Sequence, residues 1–215
     1  MKSAGISLSS TMLGIAAMAF VVLASNILVQ YPVHAQIGIV QLADLLTWGA
    51  FTYPAAFLVT DLTNRRFGPA AARRVVMAGF VVAVVLSVLL ATPRIAIASG
   101  SAFLVAQLLD VTIFDALRRQ TWWKAPFISS LIGSTIDTVL FFTLAFSATW
   151  AVLGGHDAFA VEGAPLFGVF SAEYPRWVSW ALGDFCVKML VATGLLIPYR
   201  IVVAFIRPWQ DARAV

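Results

Sequence analysis

Apolar residues in this chain come in long runs rather than in the one-faced stripes of soluble helices or the alternation of soluble strands. Six runs stand out, at about residues 8–29, 45–62, 75–91, 102–117, 127–153 and 177–199. A helix needs roughly 20 apolar residues to cross a hydrocarbon core about 30 Å thick. The pattern therefore predicts an all-α fold: a polytopic membrane protein with six transmembrane helices in a single transmembrane domain, residues 1–215. The fourth run is short and carries two acids, Asp110 and Asp115. Pro54 falls inside the second run, where its missing N–H predicts a kink or a break. Gly and Pro gather between runs, as at Pro93 and Gly154-Gly155. The first run is too long for a signal-peptide core and follows a single Lys, so it is read as a retained span.

Composition strengthens this reading. Hydrophobic residues make up 61% of the chain and charged ones only 11%, against about 25% charged in a typical soluble domain. Too little polar sequence is left for a separate soluble unit. The one cysteine, Cys186, lies in an apolar run and offers neither a disulfide nor a metal cluster. Neither a metal nor a cofactor is expected.

Charge supplies the orientation. With the N-terminus in the cytoplasm, 11 of the 14 basic residues fall on the cytoplasmic side, among them Lys2, the groups at 65–74 and 118–124, Arg200, Arg207 and Arg213. Only Arg94 and Arg176 fall outside, and Lys188 is within the last span. This asymmetry follows the positive-inside rule and predicts that both termini are cytoplasmic. It also accounts for a pI near 9.6 without any nucleic-acid partner. Trp48, Trp122, Trp123, Trp150, Trp177 and Trp209 lie near proposed span ends, as interfacial Trp residues do.

The chemistry resides in polar residues placed where lipid should exclude them. An acid within a span costs about 2.5–3.5 kcal/mol on insertion scales. The fourth span presents Gln107, Asp110 and Phe114 on one helical face; the fifth presents Ser130, Ser134, Asp137 and Phe141. Asp184 and Lys188 have the i,i+4 spacing of a helical ion pair. Asn26 is late in the first span, and Asp61 and Asn64 close the second. Structural explanations cover several of these. Asp184–Lys188 is read as a self-neutralising pair, Ser130, Gly133 and Ser134 as small residues that let helices approach, and Asp61 as an anchor beside Arg65 and Arg66. Asp110 and Asp137 resist such explanations, because neither has a basic partner one turn away. An acid of that kind faces a cavity or a pathway, unless Lys188 reaches it across helices. Carboxylates only accept hydrogen bonds, so this site suits a flat ligand with two adjacent N–H donors, such as a guanine-like edge, with Phe114 or Phe141 stacking on its ring. Composition alone does not identify that ligand.

One stretch has a more specific likeness. Phe51-Thr52-Tyr53-Pro54-Ala55-Ala56-Phe57-Leu58-Val59-Thr60-Asp61-Leu62-Thr63-Asn64, followed by Gly68, resembles the F-P-x-x-F-x-x-T-D-x-x-N-E-x-Y-G signature of the queuosine precursor transporter family. The set Gln107, Asp110, Phe114, Arg118, Trp123-Lys124, Ser129, Ser134, Asp137 and Phe141 is similar as well, as is Gly183-Asp184 with Lys188 and then Pro198-Tyr199-Arg200. The likeness runs from about Asn26 to Arg200. Arg65 and Phe67 depart from the family's Glu and Tyr at the cytoplasmic edge. If that Glu couples an ion, this chain must couple differently or not at all.

The resemblance implies an importer in the bacterial inner membrane for 7-deazaguanines: the cyano or aminomethyl precursors of queuosine, or queuine itself. It places Asn26, Asp61, Gln107, Asp110, Ser134, Asp137, Asp184 and Lys188 among pocket or gate residues. The expected partners are a guanine-like small molecule and the lipid bilayer, with a homodimer left open. A rival reading is the substrate-binding subunit of an ATP-driven vitamin importer, but no clear pair of Ala-x-x-x-Ala docking faces stands out. Catalysis is not expected. The chain has no Gly-x-Ser-x-Gly or His-Glu-x-x-His motif, and its two histidines, His34 and His156, fall in loops.

Overall fold

In a computed structural model of the chain, residues 8–155 and 157–206 are described. Lys2, His156, Arg207, Trp209 and Arg213 lie outside the described residues. Among the described residues eight α-helices follow in order: α1 (Leu8–Leu28), α2 (Gly49–Thr52), α3 (Ala55–Phe67), α4 (Pro69–Leu90), α5 (Pro93–Leu117), α6 (Lys124–Phe146), α7 (Ala158–Val161) and α8 (Arg176–Phe205). Two small antiparallel hairpins, β1 (Gln36–Ile37) with β2 (Val40–Gln41) and β3 (Gly163–Pro165) with β4 (Glu173–Pro175), belong to the loops at one end of the bundle. Among the described residues, α1, α4, α5, α6 and α8 are long and apolar enough to cross a membrane. Large apolar side chains such as Leu13, Phe20, Leu89, Leu190 and Phe205 point outward along them, as lipid-facing residues do.

The second run differs from the other five. Pro54 breaks it into α2 and α3. Without an N–H, Pro54 leaves the helical ladder incomplete, and the backbone tightens there to three-residue steps, Ala56 N–H to Tyr53 O and Phe57 N–H to Pro54 O. From 49 to 67 the broken pair would cover about 28 Å at 1.5 Å per residue. Ala56, Phe57, Thr60 and Asp61 are all buried in it, so protein rather than lipid surrounds the break.

The fourth run is longer than its hydropathy suggests. Arg94 and Ser99-Gly100-Ser101 dilute the apolar signal, yet α5 starts at Pro93. Thr92 caps it by accepting from the Ile95 N–H, and Pro93 takes the first helical position, where no N–H is needed. Arg94 is buried, and its guanidinium donates to the carbonyls of Leu144, Ser147 and Gly155 at 2.9, 2.5 and 2.6 Å. The fifth run stops early as a helix. Past Phe146 it becomes a 3-10 segment over Ala148–Leu153, which Ser147 caps.

Small residues set the closest approaches. A Cβ on Gly79 would collide with Met18 Cγ, and one on Gly133 would lie 2.8 Å from Phe57 Cε1. Met18, Val22, Val75, Val76, Phe103 and Val111 form the largest core cluster, between α1, α4 and α5. Gly68, at φ 83°, is the whole connection between α3 and α4. The basic residues gather at one end: Arg65 Nη1 donates to the Arg118 carbonyl, and Arg200 stacks over Trp122 at 4.6 Å. The hairpins occupy the other end. There Arg176 pairs with Glu162 at 3.2 Å.

Candidate functional site

A cavity of about 970 Å³ runs from the hairpin end into the bundle. Residues at the hairpin end such as Gln41, Asp44, Phe167 and Arg176 line it. One wall is polar: Asn26 on α1 donates to the Val22 carbonyl at 2.9 Å, and Ser87 on α4 hydrogen-bonds Ser99 on α5 at 3.0 Å. The facing wall is aromatic. Phe141 and Phe142 on α6 have ring centroids 5.1 Å apart, Phe146 meets Trp180 of α8 at 5.3 Å, and Trp180 meets Phe159 of α7 at 6.2 Å.

The inner end carries the charge. Lys188 Nζ lies 2.6 Å from Asp137 Oδ2 and 2.5 Å from Asp184 Oδ2. Tyr53, whose position follows from the Pro54 break, donates its hydroxyl to Asp137 Oδ1 at 2.9 Å. Thr138 donates to Asp184 Oδ2 at 3.0 Å. One cation thus serves two carboxylates, leaving the group one negative charge if all three are ionised. Asp184 is the more accessible acid, at 16% side-chain exposure against 6% for Asp137. The arrangement pairs hydrogen-bond acceptors with an ammonium donor at the inner end of an aromatic-walled chamber. It can hold a flat polar molecule by its edge and its faces.

The structure divides the residues singled out in the sequence into two groups. Asn26, Asp137, Phe141, Asp184 and Lys188 line the cavity. Asp61, Gln107, Asp110, Phe114 and Ser134 do not; they are buried nearer the basic end. Asp137 gains its cation from α8, a residue 51 positions away. Phe114 packs edge-on against Tyr199 at 6.4 Å and has no face open to the chamber. Around it Thr60 donates to Gln107 Oε1 at 2.6 Å, Asn64 to the Val111 carbonyl at 2.9 Å, and Ser129 to Asp61 Oδ1 at 3.5 Å, with the Asp110 carboxyl beside the last two. Tyr53, Ser87, Ser99 and Trp180 also line the chamber, and sequence reasoning passed over them. Tyr53 alone carried a signal, as a phenol directly before the proline of a broken span.

Membrane-length helices around a polar chamber, with a broken helix beside its charged end, are the build of a small-solute carrier. The comparisons agree. The family model described as "Putative vitamin uptake transporter" matches residues 47–92 and 85–203. The "Queuosine precursor transporter" of Escherichia coli (strain K12) is 35% identical over 83% of this chain and 79% of its own length. The "Probable queuosine precursor transporter" of Haemophilus influenzae is 33% identical over 83% of this chain and 80% of its own. A relative of the same description in Bacillus subtilis (strain 168) is 27% identical over 53% of this chain. No solved structure matches. The chain belongs to the queuosine precursor transporter family.

Proposed function

We propose that this chain imports a queuosine precursor across a bacterial inner membrane: 7-cyano- or 7-aminomethyl-7-deazaguanine, or queuine. Family membership supports the substrate class. The observation that carries the mechanism is the inner end of the cavity, where Asp184, Asp137 and Lys188 meet within 2.6 Å contacts. A guanine edge offers N1–H and an exocyclic amine beside a carbonyl oxygen. Asp184, whose Oδ1 takes part in neither bond made by that carboxylate, accepts from the two donors. Lys188 donates to the carbonyl, and Asp137 and Tyr53 hold the ammonium in place. Phe141, Phe142 and Trp180 offer ring faces to the heterocycle. The cavity opens at the hairpin end, opposite the basic end. With the basic end in the cytoplasm, it faces outward, both termini are cytoplasmic, and substrate enters from outside.

Uptake of each labelled deazaguanine into proteoliposomes tests this reading. At least one should enter severalfold faster than into protein-free liposomes, and unlabelled guanine-edged analogues should compete. No uptake of any of the three by protein that is folded and reconstituted would overturn it.

A further inference from the structure

The inner polar cluster has no part in the chamber. Asp61 on α3 and Asp110 on α5 lie side by side at 2% and 0% exposure. Neither forms an ion pair among the described residues, and neither oxygen of Asp110 finds a hydrogen-bond partner there. The charged and titratable groups around them are few. Asp115 and Arg118, toward the basic end of α5, pair with each other at 3.0 Å. Arg65 of α3 is committed to the Arg118 carbonyl. Tyr199 of α8 contributes a phenol. From α6 come the hydroxyls of Ser129 and Ser134, and α6 brings no acid closer than Asp137, which Lys188 already holds. Two neighbouring carboxylates with no cation beside them repel each other in a low-dielectric interior when both are ionised, and one proton held between them relieves that repulsion.

A second observation indicates what the cluster handles. Among the buried polar atoms there that lack partners among the described residues are three able to donate, Gln107 Nε2, Ser134 Oγ and Tyr199 Oη. Gln107 lies one turn before Asp110, and its oxygen is held by Thr60, the neighbour of Asp61. Tyr199 packs on Phe114, one turn after Asp110. Buried donors left open are costly, but they have a use if an acceptor charge appears beside them. When the shared proton leaves, the carboxylate left behind can take hydrogen bonds from the amide and the phenol. Ser134 lies one turn from Asp137 at the inner end of the cavity, on the helix that also carries Ser130 and Ser129. Along the helix Ser134 thus falls between Asp137 at the chamber and Ser129 beside the acid pair.

We propose that Asp61 and Asp110 form a proton-binding site, and that a proton passing from the chamber by way of Ser134 to this pair and on to the basic end drives solute inward. The coupling rests on the transport reading above; the proton site does not. The proton arrives from outside as hydronium, resides on the acid pair, and leaves to water at the basic end, so no co-reactant is needed.

Two measurements test it. Infrared spectra of purified full-length protein at neutral pH should show a protonated carboxylic acid band that shifts in Asp61→Asn and in Asp110→Asn and disappears in the double variant. If native protein lacks the band, or the double variant keeps it unchanged, the proton site is overturned. In proteoliposomes, an inside-alkaline gradient should make native protein accumulate labelled deazaguanine severalfold above equilibrium. In each Asn variant the ratio of gradient-driven uptake to solute-for-solute exchange should fall at least tenfold. A rate lowered equally in both modes marks a structural role and overturns the coupling, as does accumulation driven by a sodium gradient instead. If native protein exchanges no deazaguanine, the substrate reading fails, and the infrared arm still decides the proton site.

Discussion

Two acid clusters lie within the same bundle, and they are built on opposite principles. At the inner end of the chamber both carboxylates have partners: Asp137 and Asp184 share Lys188, and Tyr53 and Thr138 complete the bonding. In the inner cluster Asp61 and Asp110 have each other and the Ser129 hydroxyl but no cation among the described residues, and Gln107 Nε2 and Tyr199 Oη have no acceptor there. The first arrangement is preorganised and needs only an edge to recognise. The second holds two acids without a cation and donors without an acceptor among the described residues, the setting on which the proton site is proposed. An acid within a span thus does not announce its role by depth or spacing; its partners decide.

The largest expected effect breaks the satisfied cluster. Lys188→Ala leaves two carboxylates without their cation, and losing one partner of a buried pair costs about 3–5 kcal/mol. The folded, monodisperse yield should collapse, and Asp137→Asn/Asp184→Asn/Lys188→Met should recover much of it in size-exclusion and thermal-unfolding measurements. Next, Asp184→Asn presents an amide to a donor edge. Charge-assisted hydrogen bonds contribute about 1.5–3 kcal/mol each, so affinity for a guanine-edged deazaguanine should fall at least about tenfold. An analogue without the exocyclic amine should lose less in calorimetry. Gly133→Ala strikes the seam between the two clusters, where a Cβ would meet Phe57 at 2.8 Å. Overpacking of this kind costs about 1–3 kcal/mol and should appear as a lowered unfolding temperature. The smallest contrast is between two rings. Phe141→Leu should weaken ligand binding several-fold, whereas Phe114→Leu, buried against Tyr199 and away from the chamber, should leave it within twofold.

Much of this frame was legible in the sequence. Long apolar runs gave the membrane helices their approximate places, and Pro54 marked the break between α2 and α3 because a missing N–H is a local fact. The start of α5 was harder, since Arg94 and the serines mask the hydropathy; the Thr92-Pro93 pair was the available sign. Asp184–Lys188 could be read from an i,i+4 spacing. The bond from Lys188 to Asp137 could not, because it joins α6 to α8 and no periodicity records which faces of two helices meet. The same limit grouped Asp110 and Phe114 with Asp137 and Phe141. Each pair shares a face of its own helix, but α5 turns that face toward α3 and Tyr199, and α6 turns its own toward α8. The loop hairpins that rim the chamber carry no hydrophobic pattern to read.

Arg94 imposes an order on biogenesis. Its guanidinium cannot shed its charge, and it belongs to the end of α5 that must cross the bilayer. The three carbonyls that receive it belong to Leu144, Ser147 and Gly155, all synthesised after it. A nascent chain that has delivered α5 alone therefore carries a cation with no place to rest. The smallest unit that can settle in the membrane is the α5–α6 hairpin, extended to residue 155. Chains truncated before residue 144 should leave the start of α5 poorly translocated in a glycosylation-mapping assay, and chains extending beyond 155 should translocate it fully.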